Sequence, residues 1–122
     1  MQTAGSGNTL FIVEDNEAIR LLIRGIVSRP NDSVFEFNSA ETAVTRYAEL
    51  KPDCIFMDID LKGKDGLWAC REICKQHAEA RIVIVSSHNT LVFRKAATEA
   101  GAVAYVWKEE LETLNTVMGT LG

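Results

Sequence analysis

A chain of 122 residues, 47% hydrophobic and 25% charged, is long enough to bury one core and too short for two domains. Its 13 Lys+Arg against 17 Asp+Glu leave a formal charge of −4, which argues against the basic footprint that nucleic acid or an anionic membrane requires. No apolar run approaches the roughly 20 residues that span a bilayer, and residues 1–8 lack the basic and apolar regions of a secretory signal, reading instead as a flexible leader.

From residue 9 onward, short apolar runs alternate with helical spacing. Leu10-Phe11-Ile12-Val13 is unbroken, as in a strand covered on both faces. Ile19, Leu22, Ile23 and Ile26 then share a helix face that Pro30 ends. Val34-Phe35-Glu36-Phe37 is the second strand; Asn38-Ser39 reads as the cap of a helix striped by Ala40, Val44 and Tyr47 and closed by Pro52. Cys54-Ile55-Phe56-Met57 is the third strand, with Leu67, Cys70 and Cys74 striping the helix after it. Ile82-Val83-Ile84-Val85 precedes a helix marked by Val92, Ala96 and Ala100 and stopped by Gly101. Val103-Ala104-Tyr105-Val106-Trp107 leads to a last helix through Leu111, Leu114 and Met118, with Glu109, Glu110 and Glu112 crowding its first turn, where the dipole favours acids.

The three cysteines, Cys54, Cys70 and Cys74, have no metal-like spacing and read as reduced thiols of a cytoplasmic protein. Cys70 and Cys74 share a helix face as small packing groups, and His77 alone does not complete a zinc set.

Five strand–helix units in strict alternation predict an α/β fold, a doubly wound five-stranded parallel sheet with five helices on its two faces. Such sheets carry their functional crevice at the carboxyl ends of the strands, and those ends are chemically loaded. Strand one ends in Glu14-Asp15 and strand three in Asp58, with Asp60 two residues on; strand four ends in Ser86-Ser87-His88 and strand five at Lys108. Singly, each has an ordinary explanation: Asp15-Asn16 or Ser86 as a helix cap, Lys108 as a solvated surface residue. Together they fall on one edge. Asp58 directly follows a run that should be buried, where an uncompensated carboxylate costs several kcal/mol or takes up a proton. Carboxylates held close call for a cation, and hard oxygen ligands with open positions suit Mg²⁺, which commonly bridges to phosphate. A metal-bound carboxylate can attack a phosphoryl group, with Lys108 and Ser86 answering the charge that arrives. The pattern points to phosphoryl transfer onto an aspartate.

These residues resemble the receiver domain of two-component response regulators, across Phe11-Ile12-Val13-Glu14-Asp15-Asn16, Pro52 to Leu61 with Asp65-Gly66-Leu67, Val83 to Ser87, and Gly101 to Lys108. The resemblance implies one receiver domain over 9–122 with the flavodoxin-like strand order 2-1-3-4-5. It implies Asp58 as phosphoacceptor, Asp15 as a direct Mg²⁺ ligand, Glu14 reaching the metal less directly, and Asp60 offering its backbone carbonyl. Ser86 would bond a phosphoryl oxygen, Lys108 would pair with the phosphoryl charge, and Tyr105 would be the aromatic switch. Asp60 and His88 stand where the family tunes hydrolysis of the phosphoryl group. The implied donor is the phosphohistidine of a sensor histidine kinase or phosphotransfer protein. The implied response is a shift in the fourth helix, fifth strand and fifth helix that serves a partner or a homodimer, with no direct contact of this domain to nucleic acid or membrane.

The chain departs from the family pattern at Lys62 and at Glu109, where the family usually has proline; the acid after Lys108 resembles the NarL/FixJ branch. A cis bond before a non-proline residue costs roughly 2.5–4 kcal/mol. Ser87, larger than the family's usual residue there, is expected to leave Asp58 accessible. Trp68 reads as half-exposed packing, and Trp107 with Phe93 and Leu91 as an apolar docking patch. The leader, and an end just after the fifth helix, point to a domain excised from a longer regulator.

Other readings compete. Asp58-Ile59-Asp60 matches the acidic signature of haloacid-dehalogenase-type phosphatases, but that family places its acidic pair after the lysine, whereas Glu14-Asp15 comes first here. A receiver-like interaction module that is never phosphorylated has no need of the full acidic, hydroxyl and lysine set. A flavodoxin-like cofactor binder needs a phosphate loop after strand one, which this chain does not have.

Overall fold

The computed structural model describes residues 7–121; the leader expected at residues 1–8 lies mostly outside the described residues. The chain runs β1 (Thr9–Val13), α1 (Glu17–Val27), β2 (Ser33–Phe37), α2 (Ala40–Leu50), β3 (Cys54–Met57), α3 (Gly66–Gln76), β4 (Ile82–Ser86), α4 (Leu91–Ala100), β5 (Ala104–Trp107) and α5 (Thr113–Leu121). The five strands form one sheet in the order β2-β1-β3-β4-β5, parallel throughout. The strand order expected from the resemblance is the one found.

Period-two alternation divides the core. Phe11, Val13, Ile55, Met57, Ile82 and Ile84 face one side, against Ala40, Ala43 and Tyr47 of α2, Ala69, Cys70 and Ile73 of α3, and Ala97 and Ala100 of α4. Leu10, Ile12, Phe56, Val83, Val85 and Val106 face the other, against Ile23 and Val27 of α1 and Leu114 of α5. The central strands are therefore apolar at every position but Thr9 and Ser86 at their ends, each large apolar side chain contributing roughly 1.5–3 kcal/mol by burial.

Helix starts follow local chemistry. Asn16, Ser39, Asp65 and Thr90 each accept a hydrogen bond from the backbone N–H three residues on. Thr90, not Ser86, caps α4; Ser86 closes β4. Gly101 ends α4 at φ 108°, and a Cβ there would meet Cys74 Sγ at 2.7 Å.

Some details differ from expectation. Leu22 is 55% exposed, and the inward face of α1 is carried by Ile23 and Val27. Val92 is 76% exposed, because α4 turns Ala97 and Ala100 to the sheet. Glu109 and Glu110 sit in a separate 3₁₀ turn (Lys108–Glu110) ahead of α5, not in its first turn. No peptide bond among the described residues is cis.

Candidate functional site

Four strand ends deliver the site. β1 delivers Glu14 and Asp15, β3 delivers Asp58, β4 ends on Ser86, and Lys108 follows β5. The Asp58 amide donates to the Val13 carbonyl at 2.9 Å, and the Glu14 amide to the Phe37 carbonyl at 3.0 Å, so the acids extend the sheet's own ladder. Gly66 seats α3 against this ladder: a side chain there would overlap the Asp58 carbonyl.

Glu14 is 1% exposed, Asp58 3% and Ser86 0%, while Asp15 is exposed. Lys108 Nζ lies 2.8 Å from Glu14 Oε1 and 3.2 Å from Asp58 Oδ2. Glu14 Oε2 accepts from the Asn16 amide at 3.0 Å. Asp58 Oδ1 has neither solvent nor a hydrogen-bond partner, and Glu14 Oε1, despite its ion pair, is not aligned for a hydrogen bond. Burial first, and the Glu14 charge second, push the Asp58 carboxyl up to about 6 against the pull of Lys108. Burial works against the charge of Lys108, but the carboxylates beside it outweigh that and hold its pKa above the ordinary lysine value. One ammonium thus answers two buried carboxylates.

Asp58 is less open than the size of Ser87 leads one to expect. Ser87 itself is exposed, while Lys108 reaches across to both Glu14 and Asp58.

A divalent cation fits this donor set. Carboxylate oxygens of Glu14, Asp15 and Asp58 lie within 4.8 Å of one another, the buried Asp58 Oδ1 has no partner, and Asp15 faces solvent where a metal keeps its waters. Asp60 is exposed, and its Oδ2 lies 2.8 Å from His88 Nε2. His88 does more than its place in the loop foretold. Its amide donates to Ser86 Oγ at 3.0 Å, its carbonyl accepts from the Tyr105 hydroxyl at 2.7 Å, and its ring stacks on Phe93 at 4.0 Å. Arg94 lies over the Tyr105 ring at 4.7 Å. The expected apolar patch is differently used: Phe93 serves His88, Trp107 Nε1 donates to the Ser87 carbonyl at 3.3 Å, and Leu91 alone stands 84% exposed.

Two residues escaped the sequence reading. Glu41, on α2, accepts from the Lys64 amide at 3.4 Å and lies over Gly63, bracing the loop after β3. Arg20, on α1, donates to the Glu14 carbonyl at 2.8 Å. Neither belongs to a motif, and both read in sequence as exposed charges on helices.

Residues 10–118 match the family model described as response regulator receiver domain. The chain is 31% identical over 117 residues to the chemotaxis protein CheY of Thermotoga maritima, covering 91% of this chain and 98% of that one. It is 29% identical to the DNA-binding transcriptional activator EvgA of Escherichia coli, across 82% of this chain and 50% of EvgA. A solved two-component response regulator of the LuxR family from Aurantimonas sp. is similar at 32% identity with a TM-score of 0.79, covering 94% of this chain and 87% of that one.

Proposed function

This chain belongs to the response regulator receiver family, and on that premise we propose that Asp58 is its phosphoacceptor, loaded with Mg²⁺ held by Asp15, Asp58, the Asp60 backbone carbonyl and, less directly, Glu14. The observation that carries this reading is the buried Asp58 oxygen without a partner, set among Glu14, Asp15 and Lys108. The metal would supply charge neutralisation and orient a phosphoryl oxygen. An Asp58 carboxylate oxygen attacks the phosphorus of a phosphohistidine on a sensor kinase or phosphotransfer protein. The P–N bond breaks, its electron pair leaves with the imidazole, and an acyl phosphate forms on Asp58. Lys108 keeps its ammonium on the charge that remains, and Ser86 turns its hydroxyl from the His88 amide to a phosphoryl oxygen.

That exchange releases the His88 amide, while Tyr105 holds the His88 carbonyl and Phe93 its ring. The move at Ser86 is thereby handed to α4 and β5. Asp60 and His88, paired across the rim, set how readily water reaches the phosphoryl group. The only reactions promoted are the domain's own phosphorylation and its reversal, in a cytoplasmic protein of which residues 9–122 form the receiver; no helix among the described residues is long and apolar enough to cross a membrane.

Incubation with acetyl phosphate and Mg²⁺, followed by intact mass measurement, tests the reading. Wild type gains one phosphoryl group and the Asp58→Asn variant none. An unlabelled wild type, or equal labelling of the variant, overturns it. Repeated turnover of small phosphate esters would point instead to a haloacid-dehalogenase-type phosphatase.

A further inference from the structure

Arg20 touches two strands at once. Its Nη1 donates to the Glu14 carbonyl at 2.8 Å, and its Nε donates to Glu36 Oε1 at 2.8 Å. The side chain is 18% exposed, so these contacts are sheltered from water. Glu36 lies on β2 beside Ile12 of β1, and its second oxygen pairs with Arg24. The next residue on β2, Phe37, holds the Glu14 amide. Glu14 is therefore gripped from both sides by consecutive residues of an edge strand: its N–H directly, its C=O through Arg20. That carbonyl belongs to the peptide joining Glu14 to Asp15. Its tilt decides where the Asp15 side chain begins.

We propose that Arg20 is a positioning residue of the cation site. Braced on Glu36, it fixes the Glu14–Asp15 peptide so that the carboxylates of Glu14, Asp15 and Asp58 converge. The inference rests on the cation site proposed above. Two effects of Arg20 on a metal have opposite signs. Its positive charge opposes a second cation nearby, so on Coulomb grounds its removal tightens metal binding. Its hold on the peptide pre-sets the ligands, so on geometric grounds its removal loosens it. Glu36, shared with Arg24, offsets part of the charge of Arg20 at hydrogen-bond distance, and geometry dominates.

The sign of the change is therefore diagnostic. The full chain is titrated calorimetrically with Mg²⁺ alone, as wild type, Arg20→Ala, Arg20→Lys and Arg24→Ala. Arg20→Ala weakens Mg²⁺ binding roughly tenfold, the low end for loss of a group that orients ligands, with an unchanged far-ultraviolet circular dichroism spectrum. Arg24→Ala, which removes an equal charge from Glu36 but no contact to the Glu14 carbonyl, stays near wild type. Arg20→Lys loses part of the affinity, because one ammonium does not reproduce the guanidinium fork; it also carries the comparison should the alanine variant unfold. Equal or tighter binding by a folded Arg20→Ala chain, or an equal loss in Arg24→Ala, overturns the role of Arg20 alone. A wild type that takes up no Mg²⁺ overturns the cation site and this inference with it.

Discussion

Removing the charge of Asp58 should make the metal-free protein more stable. Folding holds the Asp58 carboxyl at about 6 against an ordinary 3.8. At 1.36 kcal/mol for each tenfold change in proton affinity, the ionised side chain costs the native state about 3 kcal/mol. The native state binds this proton more tightly than the unfolded chain. Its stabilising contribution is thus complete below the ordinary aspartate value and lost as pH rises through about 6. Asn at this position mimics the protonated acid. Urea unfolding followed by tryptophan fluorescence, with a chelator present, should find Asp58→Asn more stable than wild type by up to about 3 kcal/mol near pH 7.5, the advantage shrinking toward zero near pH 4. Adding Mg²⁺ should stabilise wild type and leave the variant nearly unchanged, since only a state that binds gains by mass action. An advantage that does not vary with pH, or a variant no more stable than wild type at neutral pH, refutes the claim that burial and Glu14 strain this carboxylate.

Lys108→Ala removes the only ammonium among the described residues that faces Glu14 and Asp58; the same unfolding assay, without metal at neutral pH, should show a loss of about 3–5 kcal/mol, as for a buried charge deprived of its partner. Gly66→Ala forces a methyl group into the Asp58 carbonyl and should cost about 1–3 kcal/mol or more in thermal melts, while slowing labelling by acetyl phosphate because α3 and the nucleophile are displaced together.

The sheet was legible because both its faces are covered. Each strand of Cys54–Met57 and Ile82–Ser86 is buried along its full length, so an unbroken apolar run identified it without any alternation to interpret. The helix faces were less legible. Leu22 and Val92 are apolar yet exposed, and a stripe read from spacing alone slips by one position when the neighbouring residue is the one that docks. The site's residues could be named because they end strands, and strand ends converge in a parallel sheet. Their pairings could not be read. That Lys108 reaches Glu14 as well as Asp58 depends on bringing together segments dozens of residues apart, and that His88 gathers contacts from Ser86, Tyr105 and Phe93 depends on how the loop after β4 folds back on its neighbours. Arg20 was invisible for another reason: in sequence, an arginine on an amphipathic helix looks like any other solvated charge.

The hydroxyl of Ser86 already serves as an acceptor. It accepts from the His88 amide at 3.0 Å, and under the proposed role it gives up this partner to take another. Giving up the first bond costs on the order of 1 kcal/mol net, and the charge-assisted bond to a phosphoryl oxygen returns about twice that. A cost so small leaves the signalling conformation within thermal reach before any phosphate arrives, and it makes the loop beyond β4 the place where small substitutions would set the protein's basal tone.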